Sequence, residues 1–255
     1  MSVNSQLLGD LVSGLYYSHT FEDKFRIFDH HIQKLGLESC AYTFIPNAVS
    51  ETALNYPPVF AKSDVFSESF LEQYVADRFD ENDFTIRAIK ENKLFPMDWH
   101  EWERSDYLSA QEKNVLRLAR EAHDIKHGLS IPAMNEPIGI AGFSLTNTLK
   151  DKDFTLLKQE NLETIELCSK AFHDIVFSRP YSYHEFIPES LRKLSDKERI
   201  VLDFVSKGRS MAELGRSREP ISQRYGEKLL LKLKQKFGGV TTNELICYAT
   251  QLHLI

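Results

Sequence analysis

The stretch ISQRYGEKLLLKLKQKFGG, residues 221–239, decides how the C-terminal part of the chain is read. It opens on Ile221 and the small polar Ser222, carries helix-forming residues for about four turns, and stops at Gly238 and Gly239. Arg224, Lys228, Lys232, Lys234 and Lys236 make it basic, and only Glu227 interrupts the charge. A helix that enters the major groove of DNA needs base-reading side chains at its N-terminal end and neighbouring cations for phosphates. Ser222, Gln223 and Arg224 occupy that end. Gln223 and Arg224 have the donor geometry for adenine and guanine edges. Lys228 and Lys232, with Lys207 and Arg209 from the preceding segment, are candidate phosphate contacts. A merely solvated helix would mix acids and bases more evenly.

Working outward, the last 65 residues read as four short helices. Ser195 with Glu198, Ser210 with Glu213 and Thr241 with Glu244 repeat the S/T-x-x-E spacing, in which hydroxyl and carboxylate satisfy backbone N–H groups reciprocally. Ser222 caps the opening helix itself. The second helix, MAELGRSRE, and the third are expected to form a helix-turn-helix.

Charge separates this module from the rest. Residues 191–255 hold 13 Lys and Arg against 7 Asp and Glu, a net of +6, so with −6 for the whole chain the first 190 residues carry −12. A basic tail on an acidic body suits a polyanionic partner for the tail alone. Cys40, Cys168 and Cys247 are too few and too scattered for a disulfide framework or a zinc site, which fits a reducing compartment. The sequence has no signal-peptide pattern and no run of about 18 apolar residues. A cytoplasmic protein without a membrane partner is expected.

The first part of the chain reads as α+β. SQLLGDLVSGLYYSH and EDKFRIFDHHIQKLGL have helical spacing, the second closed by Gly36. SCAYTFIP alternates as a strand. SESFLEQYVADRF and SAQEKNVLRLAREAHDIKHG return to helical spacing, the latter closed by Gly128. LSIPAMNEPIGIAGFSLTN reads as two strands about an Asn-Glu-Pro turn, and DKDFTLLKQENLETIELCSKAFHDIVFSR as a long helix. The expected fold is an N-terminal α/β/α sandwich with an antiparallel meander (1–176), a linker containing RPYSYHEFIPES (177–190), and an all-α four-helix helix-turn-helix domain (191–255).

The C-terminal module resembles the DNA-binding domain of LuxR-type transcription regulators. LSDKERIVLDFVSKGRSMAEL, ISQRYGEKLLLKLKQKFGG and TTNELICYATQLHLI reproduce that family's successive spacings over the whole module. Tyr225-Gly226 stands where the family has Thr-Val, Leu229 where it has histidine, and GRSREP is one residue longer than the family turn. A glycine within a helix costs roughly 1 kcal/mol relative to alanine. One four-helix module reads only a few base pairs, and two-fold pairing places two recognition helices about one helical turn apart, so a homodimer on pseudo-palindromic double-stranded DNA is expected. The helix beginning at Thr241 and the long helix ending near Ser178 are the expected dimer contacts.

The first domain resembles the autoinducer-binding domain of the quorum-sensing members, which encloses an N-acyl-homoserine lactone. Tyr74 and Asp83, nine residues apart, match the family's signal-contacting pair. Trp99 matches the aromatic over the lactone ring, Gly128 the family glycine, and Ser144 the hydroxyl beside the amide. Phe70 replaces a tryptophan that donates to the lactone carbonyl, and Phe84 a proline. In such a pocket Asp83 would accept the ligand N–H, and Tyr74 or Ser144 would donate to its carbonyl. An empty pocket would leave that carboxylate unpaired at a cost of about 1–3 kcal/mol, coupling binding to folding. Taken singly, Phe70, Tyr74 and Phe79 read as core packing, Asp83 as a cap or turn residue, and His30 and His31 as one surface and one core histidine. The alternative is a regulator without a signal, whose first domain serves dimerisation or partner binding. No G-x-S-x-G, HExxH, Walker or dinucleotide motif is present, so neither catalytic residues, metal nor cofactor are expected.

Overall fold

A computed structural model describes residues 3–46, 59–136, 139–178, 193–217, 221–251 and 254–255. The chain divides into two compact units, the first drawn mainly from residues 1–182 and the second mainly from residues 183–255. The segment RPYSYHEFIPES lies outside the described residues, as do Arg218, Glu219 and Pro220 of the GRSREP turn.

In the first unit, helices α1 (Val3–Tyr17) and α2 (Phe21–Lys34) precede strands β1 (Ser39–Pro46) and β2 (Val59–Lys62). Thr20 caps α2 through the Asp23 N–H, and Gly36 follows its C-cap at φ 92°. His30 is exposed and His31 buried, its Nδ1 2.7 Å from the Ile27 carbonyl oxygen. Next come α3 (Glu68–Ala76), a 3-10 turn (Phe79–Asn82), α4 (Phe84–Lys90), β3 (Met97–Asp98), α5 (Trp99–Glu103), α6 (Ala110–His123), β4 (His127–Glu136), β5 (Gly139–Asn147) and α7 (Asp151–Phe177).

The five strands are ordered β2-β1-β5-β4-β3, so the sheet is not the sequential meander expected. The β1–β2 and β3–β4 pairs are antiparallel, with Thr43 opposite Phe60 and Met97 opposite Ser130. The centre is a long-range pairing of β1 with β5, which no local spacing announces. Strand alternation sends Tyr42 and Phe143 to one face, where they pack against Phe28 of α2 and Phe172 of α7 at centroid distances of 4.8–5.7 Å. The other face turns Ala41, Thr43 and Ser144 toward α3, α4 and α6, making a third layer. Helix α6 also ends earlier than its sequence suggests. Asp124, in the left-handed conformation at φ 56°, closes it, and Gly128 belongs to β4.

The second unit contains α8 (Asp196–Ser206), α9 (Met211–Leu214), α10 (Gln223–Lys236) and α11 (Thr242–Gln251). Reciprocal capping occurs at Ser195–Glu198, Ser210–Glu213 and Thr241–Glu244, and Ser222 caps α10. The expected MAELGRSRE helix is one turn only. Helix α10 packs against α8, α9 and α11 through Leu229 and Leu233. Gly226 has a packing role: a Cβ there would lie 3.0 Å from both Leu214 Cδ2 and Met211 Sδ. The glycine allows α9 and α10 to approach closely, so it is a contact point and not merely a weak spot in the helix.

Candidate functional site

The site in the first unit is assembled from α3, the α3–α4 connection, α5 and the cavity face of the sheet. Helix α3 places Phe70 and Tyr74 one turn apart, both buried. Asp83 sits between the 3-10 turn and α4, where its Oδ1 accepts the Thr85 N–H at 2.7 Å and the Thr85 hydroxyl at 2.6 Å. Its Oδ2 accepts the Tyr74 hydroxyl at 2.8 Å. Burial first, and then the Asp83 charge, push the Tyr74 phenol well above its ordinary range, so it stays a protonated donor. Asp83 is thus both a helix cap and a tyrosine partner. The expected unpaired carboxylate is absent, because Tyr74 and Thr85 already satisfy it.

Trp99 opens α5 and lays its indole across β4. A Cβ on Gly128 would fall within the indole ring system, which explains the glycine in a strand. The indole Nε1–H donates to Ser130 Oγ at 2.8 Å. Asp98, just before it, caps α5 through the His100 and Glu101 N–H groups and receives the Lys158 ammonium. Together these contacts fix the indole's position.

Two adjoining cavities result. The smaller, about 370 Å³ of empty space, is lined by Phe70, Tyr74, Asp83, Trp99 and Ser144 together with Thr85. All five residues singled out in the sequence therefore border one space. The larger, about 590 Å³ with its open mouth included, shares Phe70, Tyr74, Asp83, Thr85 and Ser144 and continues along Ile45, Leu71, Ile86, Ile89 and Ile140. The arrangement suits an amphiphile, polar at the shared end and apolar beyond it. Sequence reading missed Thr85 and Ser130. The signal for Ser130 was present in β4, where a serine alternates with the apolar Leu129 and Ile131.

Glu112, which also lines the smaller cavity, is buried. Burial alone would raise its pKa, but the Arg87 guanidinium, at 2.7 and 2.9 Å, and Ser109 hold it below the usual range. Phe84 is also buried and packs on Trp102 at 5.6 Å.

In the second unit, Ser222, Gln223, Arg224 and Lys228 are exposed along the first half of α10. Gln223 donates to Glu227 at 2.9 Å. Tyr225 is exposed, with the Lys197 ammonium over its ring at 5.3 Å. Lys232 lies 3.6 Å from the buried Glu198 carboxylate, Lys207 pairs with Asp203 at 2.6 Å, and the Arg209 guanidinium stands over Phe204. Arg224 and Lys228 thus share the leading end of the helix, while Lys232 turns toward α8. Among the described residues no cluster of three or more His, Cys, Asp or Glu side chains could hold a metal, and no helix is long and apolar enough to cross a membrane.

Residues 20–176 match the autoinducer binding domain family, and the chain belongs to that family. The family is one of signal-binding domains. Among solved structures the chain is similar to Escherichia coli SdiA, with a TM-score of 0.59 at 16% identity over 98% of each chain. SdiA in complex with octanoyl-rac-glycerol gives 0.58 at 15% identity, covering 99% of this chain and 96% of that one. The N-acylhomoserine lactone dependent LuxR family transcription factor CepR2 from Burkholderia cenocepacia gives 0.50 at 14% identity over 69% of this chain and 96% of its own. At these identities the likeness is one of fold. No curated protein sequence matches the chain.

Proposed function

We propose that the chain is a signal-responsive transcription regulator of quorum-sensing type. Its first unit encloses an N-acyl-homoserine lactone or a related small amphiphile. Its second unit binds double-stranded DNA as a homodimer, with α10 in the major groove, Gln223 and Arg224 at base edges, and Ser222, Lys207, Arg209, Lys228 and Lys232 near phosphates. The observation that carries the reading is the convergence of Phe70, Tyr74, Asp83, Trp99 and Ser144 on one cavity in a chain of the autoinducer-binding family. For the DNA-binding half the support is the exposed basic leading end of α10 and the net charge of +6 over residues 191–255.

One observation favours a second reading, in which the first unit needs no signal. Asp83 takes its hydrogen bonds from Tyr74 and Thr85 of the protein itself, so its carboxylate does not depend on a signal for partners. Selection of duplexes from a random pool, with and without acyl-homoserine lactones, tests both. A ligand-dependent consensus lost in Arg224→Ala supports the main reading, and the same consensus without additive supports the second. No enrichment under either condition rejects DNA binding.

A further inference from the structure

We infer that Leu231 is a base-reading residue: in the major groove it packs on the C5 methyl of a thymine and fixes that base in the sequence the chain prefers. The inference rests on the reading of α10 as the groove-entering helix and deepens it. Its starting point is the face that α10 leaves uncovered. Gly226, Leu229 and Leu233 are buried, and with Phe237 they run at three- and four-residue spacing along the side that packs on α8, α9 and α11. On the opposite side Arg224, Lys228, Leu231 and Gln235 repeat that spacing, and all four are exposed. Leu231, at 56%, is the most exposed large apolar side chain among the described residues of the second unit. Gln223 and Lys232 are drawn to the flanks of this stripe, the first donating to Glu227 at 2.9 Å and the second standing 3.6 Å from Glu198.

An apolar side chain in the middle of a basic stripe has no core to join, and the charge of the stripe selects its partner. A two-fold contact between copies on this face would set Arg224 and Lys228 against their own counterparts. DNA instead offers the same face phosphates for the cations and, on the base edges of the major groove, one apolar group, the thymine methyl. Leu231 is seven residues beyond Arg224, about 10 Å along the helix axis, so the two contacts fall on different base pairs. Arg224 can donate to a guanine edge, whereas a leucine neither donates nor accepts. Over the amino group of cytosine or adenine it would strip water from a donor without replacing it. Over the thymine methyl it covers apolar surface only, so it discriminates by contact alone.

The test uses duplexes selected from a random pool by the full chain, under the condition that gives enrichment. Each thymine of the selected sequence is replaced in turn by deoxyuridine, which pairs identically but lacks the methyl, and affinity is measured by fluorescence anisotropy. At one thymine for each bound helix, the replacement is expected to weaken binding roughly fourfold, the weight of one buried methyl-sized group. Leu231→Ala should bind the thymine and deoxyuridine duplexes equally, and Leu231→Met, which keeps the apolar reach, should retain the distinction. Because the side chain is exposed, both variants should melt with the unaltered protein. A consensus in which no thymine methyl matters, or a methyl effect that persists undiminished in Leu231→Ala, overturns the inference and leaves DNA reading by α10 intact. Enrichment of no duplex removes both.

Discussion

Tyr74 and Asp83, on opposite sides of the α3–α4 connection, are joined by a 2.8 Å hydrogen bond, and the same carboxylate caps α4 through Thr85. One residue therefore holds together two helices that wall the cavity. Asp83→Ala would remove the cap and leave a buried phenol without this acceptor. A loss of about 1–3 kcal/mol is expected in urea unfolding of the ligand-free protein. Tyr74→Phe keeps the cap and should cost less, near 1 kcal/mol. Equal, negligible effects of the two substitutions would mean that the connection is held by other contacts.

The Trp99 indole occupies the space that a side chain at position 128 would need. Gly128→Ala should displace it, break the bond to Ser130 and expose the ring. With only Trp99 and Trp102 in the chain, a red shift of tryptophan emission together with a lower unfolding midpoint reports this directly. An unchanged spectrum would show that the indole rests elsewhere.

His173 is buried in α7 with its Nδ1 2.9 Å from the Tyr42 hydroxyl, and burial lowers its pKa from 6.5 to about 4. The native chain refuses a proton there that the unfolded chain accepts. Its stabilising contribution is thus complete above pH 6.5 and is lost as the pH falls toward 4. A slope of about 1.4 kcal/mol per pH unit is expected from this group within that window. Burial lowers His127 as well, which adds to the slope. Unfolding titrations of His173→Gln, which cannot protonate in this range, should show a shallower dependence. An unchanged slope would place the linkage in other groups.

Gly226 touches Leu214 and Met211 across the α9–α10 contact. Alanine there gains helix propensity of roughly 1 kcal/mol but presses on two flexible side-chain ends. Gly226→Val has no such room and should destabilise the second unit by about 1–3 kcal/mol. A neutral or stabilising valine would show that the two helices can separate freely.

Local chemistry was the legible part of this chain. The Ser195, Ser210 and Thr241 capping motifs depend on residues three apart and needed nothing from elsewhere. The strand β1 and the long helix α7 likewise announced themselves by alternation and by helical spacing. The sheet order was not legible, since β1 meets β5 across about a hundred intervening residues and no local rule selects that pairing. The end of α6 was misplaced because Asp124 adopts the left-handed conformation that Gly128 seemed suited to supply. Gly128 is instead explained by Trp99, a neighbour in space and not in sequence. The satisfied state of Asp83 was hidden for a related reason: Thr85 reads as an ordinary helix-start residue until its hydroxyl is seen on the carboxylate.

The measurement that bears most directly on the account is the melting temperature of the intact protein, alone and with N-acyl-homoserine lactones of graded chain length, beside Asp83→Ala. A rise of roughly several degrees for the chain lengths that fit, absent in the Asp83→Ala protein relative to its own baseline, is the predicted result. No shift with any amphiphile in a well-folded protein would contradict the assignment of the cavity as a signal site.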